Sequence, residues 1–144
     1  MADNNDIKEQ SFLGRGWSFP PTFSKINNEV VMIADEIDIQ KSIETLLSTT
    51  IGERFLQPNY GCNLDNYVFE PINANIEASI KITVRNALLI FEPRIKLLSV
   101  KLDTTTFINE GRADINIDYE IAGTNSRFNL VYPFYLAEAN NKTA

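Results

Sequence analysis

Four acidic residues, Glu53, Asp65, Glu70 and Glu92, stand in or beside segments without regular periodicity. Loops carry function more often than the elements they join, so acid–base chemistry would be sought here first. Two carboxyls flanking a cleft can hydrolyse a glycosidic bond, one protonating the leaving group and the other acting as base or nucleophile. Nothing in the sequence sets that spacing, and helix caps or solvated surface acids account for the same residues. Cys62, after Tyr60-Gly61, would need a base beside it to act as a nucleophile. The chain has no histidine, which removes the commonest general base and the commonest metal ligand. With one cysteine, neither an internal disulfide nor a cysteine-based zinc site can form. Cys62 therefore reads as a small buried thiol. Gly14 and Gly16 do not open a phosphate-binding loop: no strand leads in, no Lys-Ser/Thr follows, and Pro20-Pro21 blocks the helix. No catalytic residue, metal site or cofactor is expected.

Glu92-Pro93-Arg94 is the sharper signal. Before it, apolar residues recur every three to four positions; after it, they alternate. An acid and a guanidinium are thus held around a rigid proline where the longest helix gives way to the sheet. An acid in the last helical turn opposes the macrodipole, which favours cations there. Two readings are open. One is a local salt bridge, worth at most about 1 kcal/mol if exposed. The other is a docking pair presented to a partner, where bidentate arginine contacts give orientation.

The elements around this joint follow from pattern. Residues 1–11 read as a tail with one large apolar side chain, Ile7. Residues 12–23 hold the only tryptophan, Trp17, with Phe12, Phe19 and Phe23, two glycines and two prolines. They read as an extended arm with aromatic anchors. A short strand is expected at residues 30–33. Asp35 can cap a first helix whose apolar face carries Ile39, Ile43, Leu46, Leu47 and Thr50, with Gly52 as its stop. Residues 52–71 lack a period but contain many apolar side chains, which predicts a loop packed down on the core. Asn73 caps a second helix with Ile76, Ile80, Val84, Leu88 and Phe91 on one face. Ile82, Leu89 and Ile90 widen its apolar surface, so more than one neighbour is expected, and Pro93 ends it.

Three strands follow. In the first, Leu98, Val100 and Leu102 are expected on one face, with Ile95 and Leu97 on the other. The second alternates Ala113, Ile115, Ile117, Tyr119 and Ile121 against polar residues, and the third alternates Phe128, Leu130, Tyr132 and Phe134. Asn109-Glu110-Gly111 and residues 122–125 supply the turns. Short turns between sequential strands make an antiparallel meander, whose apolar face the two helices would cover. The expected fold class is α+β: two amphipathic helices packed on one face of a small antiparallel sheet of three C-terminal strands, with one extra short strand. A single domain is expected over residues 12–136, followed by a polar tail at 137–144. The third strand has little charge beyond Arg127, so its edge is either covered by the chain's own arm or meant for another chain.

Composition narrows the function class. The chain has 144 residues, 44% of them hydrophobic, which is ample for one core. Its formal net charge of −6 repels phosphate backbones, so nucleic acid is not an expected partner. No stretch reaches the roughly 20 apolar residues of a membrane span. The N-terminus lacks the basic-then-apolar pattern of a signal peptide. A soluble, cytoplasmic chain in a reducing interior is expected.

Four motifs occur in order: Gly14-Arg15-Gly16-Trp17-Ser18-Phe19-Pro20-Pro21, Ile51-Gly52-Glu53-Arg54, Pro58-Asn59-Tyr60-Gly61-Cys62-Asn63-Leu64, and Glu92-Pro93-Arg94-Ile95. From about residue 14 to 136 the chain resembles the baseplate wedge, or sheath initiator, family of contractile phage tails. Relatives of that family include the TssE subunit of type VI secretion systems and baseplate subunits of extracellular contractile injection systems. The resemblance implies a non-enzymatic structural role, in several copies around a symmetric baseplate. It implies the sheath protein, other wedge and baseplate proteins and the inner tube protein as partners, and initiation of sheath assembly by strand addition. It implies partner contacts at Glu92, Pro93 and Arg94, which match the family's Glu-Pro-Arg signature, and at Trp17 and Phe19, which match its aromatic arm. Assembly in the bacterial cytoplasm and residence in the particle would follow. The acidic N-terminal tail departs from the family pattern. The competing class is a small, lysozyme-like cell-wall hydrolase carried by the same machine.

Overall fold

A computed structural model describes residues 15–17, 21–25, 29–30 and 32–135. The two expected tails and Phe19 lie outside the described residues. The chain divides into two compact units, residues 1–41 and 42–144.

In the first unit, β1 (Arg15–Trp17) pairs antiparallel with β4 (Met32–Ala34), and β2 (Phe23–Ser24) with β3 (Glu29–Val30). The described strand residues of the aromatic arm, 15–17 and 23, are thus extended, and residues 30, 32 and 33 of the apolar run are among those they pair with. The backbone at Gly16 passes so close to Asp38 that any Cβ there would strike the carboxylate. Trp17 and Phe23 are exposed.

Helix α1 (Asp35–Ser48) begins in the first unit and ends in the second. Ile39, Ile43, Leu46 and Leu47 are buried, as their spacing predicts. The helix stops before Thr50, which the periodicity had placed on the same face. The Ser48 and Thr49 hydroxyls both donate back to the Thr45 carbonyl, at 3.0 and 2.6 Å. Such local bonds compete with the helical ladder. The freed Thr49 carbonyl accepts instead from the Cys62 N–H at 2.8 Å.

The second unit holds the main core. A single 3-10 turn (Leu64–Tyr67) precedes α2 (Ala74–Phe91). Asn73 caps α2 through its side chain, accepting from the N–H groups of Asn75 and Ile76 at 2.9 and 3.0 Å. That satisfies two of the orphan donors of the first turn. Ile80, Val84, Ala87 and Leu88 are buried. The helix lies against β5 (Ile95–Asp103), which pairs antiparallel with β6 (Arg112–Ile121), and β6 pairs antiparallel with β7 (Arg127–Tyr135). Two helices and a three-stranded antiparallel meander make the fold α+β, as expected. The Asn109-Glu110-Gly111 turn closes a one-turn helix, α3 (Phe107–Glu110), with Gly111 left-handed at φ 63°.

Register decides which side chains face the helices. In β6, Ala113, Ile115, Ile117, Tyr119 and Ile121 are all buried. Opposite them stand Leu130, Phe134, Tyr132 and Phe128 of β7. In β5 the expected faces are corrected. A bulge between Leu97 and Ser99 shifts the pairing, so Ile95 and Leu97 stand opposite Ile121 and Tyr119, while Val100 and Leu102 stand opposite Ile117 and Ile115. One extra residue switches strand parity, so all four face the core and Leu98 falls outside. The loop 52–71 also differs from expectation. Cys62 and Leu64 are buried, but Phe55, Leu56 and Phe69 are among the most exposed apolar side chains described.

Candidate functional site at the helix–sheet joint

Glu92 is the C-cap of α2, its N–H still donating to the Leu88 carbonyl at 3.0 Å. Its side chain is only 2% exposed. A carboxylate that deep needs compensation, and Arg94 supplies it. The arginine Nε donates to Oε1 at 2.7 Å and Nη2 to Oε2 at 3.0 Å, a bidentate fork across Pro93. This explains how a helix tolerates an acid at its negative end: the guanidinium cancels it at contact distance. The proline sets the turn. Beyond it the Arg94 carbonyl accepts from Ala122 N–H at 2.9 Å, tying the joint to the β6–β7 turn. Glu92 is thereby enclosed, while Pro93 is exposed and the Arg94 side chain is 28% exposed. The joint leaves part of a guanidinium exposed, its position set in part by a buried carboxylate.

Two further motif segments meet here. Tyr60 packs edge-on against Phe91, with ring centroids 5.2 Å apart. The Arg54 guanidinium lies over the Tyr60 ring, its Cζ 4.0 Å from the centroid. Burial pushes the Tyr60 phenol above its usual pKa; the Arg54 charge opposes that shift and the Glu92 charge adds to it. The Ile-Gly-Glu-Arg segment, the Asn-Tyr-Gly-Cys segment and the Glu-Pro-Arg joint are therefore one cluster. Sequence reasoning treated them as separate signals and missed Arg54 and Tyr60 as members of the site. An arginine six positions before a tyrosine has no helical or strand-like spacing that would announce the contact.

The cluster's support is tight. Gly61 has φ +135°, and a Cβ there would lie 2.5 Å from the Thr49 carbonyl oxygen. Only glycine fits comfortably. The remaining candidate acids have structural partners or none. Glu53 Oε2 accepts the Thr50 N–H at 3.0 Å, and Asp65 Oδ2 accepts the Thr50 hydroxyl at 2.7 Å. Glu70 is exposed. Cys62 is 2% exposed, and burial pushes its thiol up to about 12. That environment suppresses the thiolate that nucleophilic or metal-binding chemistry requires. Among the described residues no group of three or more His, Cys, Asp or Glu could hold a metal ion, and no helix is long and apolar enough to cross a membrane.

A small helix-backed antiparallel sheet with an acid–proline–arginine joint defines the class of protein. The chain belongs to the baseplate wedge protein gp25 family, whose pattern matches residues 34–126. It is 30% identical over 101 residues to baseplate protein W of Escherichia phage P2, covering 70% of this chain and 85% of that one. A Geobacter sulfurreducens structure described as a tail lysozyme is 45% identical, with a TM-score of 0.69, covering 76% of this chain and 97% of that one. A chain of the anti-feeding prophage baseplate shares the fold at 23% identity and a TM-score of 0.61, covering 91% and 92%. The expected family and its structural, baseplate-type membership therefore stand.

Proposed function

We propose that this chain is a non-enzymatic brace of a contractile injection machine's baseplate, holding wedge subunits together and starting sheath assembly by accepting a strand from the first sheath ring. The observation that carries the reading is the Glu92–Arg94 fork: a buried carboxylate that aims a part-exposed guanidinium, in a chain of the wedge family. Glu92 acts as the positioning residue and Arg94 as the contact. Pro93 keeps the two in register, and Trp17, 62% exposed, adds an aromatic contact, with Phe19 as its companion. Strand addition is supported by the sheet. Among the described residues β5 and β7 each have a partner on one side only, and Val131 of β7 is half-exposed. Such margins are templates for a further strand. Sheath, wedge and inner tube proteins are the partners in this reading, with assembly in the bacterial cytoplasm.

The test is Glu92→Ala combined with Arg94→Ala. The double change is the right one, because removing the arginine alone would strand a buried carboxylate at a cost of about 3 kcal/mol. Particles from the double variant should lack sheathed tubes by electron microscopy. Tubes sheathed as in the wild type would overturn the docking role.

The description of the Geobacter protein favours a second reading, a cell-wall hydrolase. It requires two carboxyls converging on a cleft, one of them held protonated. Glu53, Asp65 and Glu92 are instead held by Thr50 and Arg94.

A further inference from the structure

We propose that the loop at residues 51–58 is a docking plug: Phe55 and Leu56 enter an apolar socket on a neighbouring baseplate polypeptide, and Arg54 meets a carboxylate at the socket's rim. The proposal rests on the reading of this chain as a baseplate component and gives that component a second contact surface with a stated partner chemistry.

Phe55 is 97% exposed and Leu56 89%, the two highest values among the described large apolar residues. Adjacent apolar side chains at a loop tip ordinarily fold back onto the protein. Here the backbone is pinned against that. The Gly52 N–H closes the loop on the Pro58 carbonyl at 2.8 Å, and the Glu53 N–H bonds the Thr50 carbonyl at 3.1 Å. The Thr50 N–H is held by Glu53, and the Ile51 N–H by Asn63 Oδ1 at 3.1 Å. Gly52 makes the turn at φ +92°. A pinned loop presents its aromatic and aliphatic tips at little further cost in conformational entropy, which is the property of an interface hot spot.

Charge identifies the partner. Arg54 uses the face of its guanidinium on Tyr60, which leaves the N–H edges pointing outward. No described carboxylate pairs with it, in a chain of net charge −6. An unpaired arginine beside two bare apolar tips complements a hydrophobic socket with an acidic margin. Position identifies the context. Through Tyr60 and Phe91 the loop is continuous with the Glu92–Arg94 joint, so one neighbour can engage both.

The test uses the full-length chain carrying Phe55→Ser and Leu56→Ser, produced in cells that assemble the particle. Because both side chains are exposed, the purified variant should melt as the wild type does. Should the double variant melt lower, Leu56→Asn alone carries the same test. Its amount in purified baseplates should fall about tenfold or more, and Arg54→Glu should reduce it about threefold. Wild-type levels from the folded double variant would overturn the plug. So would a wild-type chain that dimerises in sedimentation and loses the dimer on the double substitution, since the socket would then belong to a second copy. Absence of the wild-type chain from purified baseplates would overturn the baseplate reading itself. Loss of sheathed tubes in the Glu92/Arg94 variant, with full incorporation of the loop variant, would remove the plug and leave that reading intact.

Discussion

At the scale of single residues, burial sets the chemistry. Cys62 sits between the carbonyl of Thr49 and the 3-10 turn, and its thiol is pushed up to about 12 from an ordinary 9.0 by burial, with the Asp65 charge adding to it. A folded-state pKa above the unfolded one gives stability that is fully present below about pH 9.0 and is lost as pH rises towards 12. Burial raises Tyr60 and Tyr132 as well, so their contributions have the same sign. Urea unfolding should therefore show stability declining above pH 9. Cys62→Ala should make that decline shallower without removing it. An equal slope in both proteins would show that the thiol is not buried as described. Glu92 is enclosed as well, and a guanidinium stands against both of its oxygens.

Elements are joined by a few backbone positions that admit no side chain. Gly61 lets the 52–63 loop return to the end of α1, where Cys62 N–H reaches the Thr49 carbonyl. A methyl group at 61 would meet that carbonyl and would also have to adopt a positive φ. Gly61→Ala should lower stability by about 2 kcal/mol or more, read as a reduced urea midpoint. It should loosen Tyr60 and Arg54 with the loop. An unchanged midpoint would mean that the loop can be re-routed around Thr49. Helix α2 shows a different kind of joining. Its inner face is buried in the way its period demands, but Ile82, Leu89 and Ile90 remain exposed. Ile82 and Leu89 line a groove of about 290 Å³ with Lys81, Arg85 and residues 97–100 of β5. The helix does have a second neighbour besides β5, the 3-10 turn Leu64–Tyr67, yet these three side chains stay exposed.

At the scale of the molecule, a well-packed sheet face coexists with several large apolar side chains left exposed among the described residues. Bare tips at Phe55, Leu56 and Phe69, and the exposed Trp17 of β1, are what a component of a larger assembly carries until its neighbours arrive. A hydrolase requires a sheltered cleft with two converging acids, one of them held protonated. The purified chain should leave a peptidoglycan suspension as turbid as buffer does. Clearing that survives Cys62→Ala and is lost on Glu53→Gln or Asp65→Asn would establish the enzymatic class instead.

Much of this was legible in the amino-acid order. The Asn73 cap, the α2 period, the strict alternation of β6, the proline stop and the helix-to-strand change at Glu92-Pro93-Arg94 are all local, and local sterics and periodicity determine them. The motif order pointed to the family for the same reason: it is a property of the chain, not of its folding. What only the tertiary structure decided depends on contacts between distant segments. The bulge beside Leu98 reversed the faces of half a strand, because register is fixed by pairing with β6 and not by the strand's own pattern. The end of α1 was set by a carbonyl that Cys62 claims from the next loop. Arg54, Tyr60 and Glu92 became one site because a glycine turn and a helix end bring them together, and no spacing along the chain encodes that meeting.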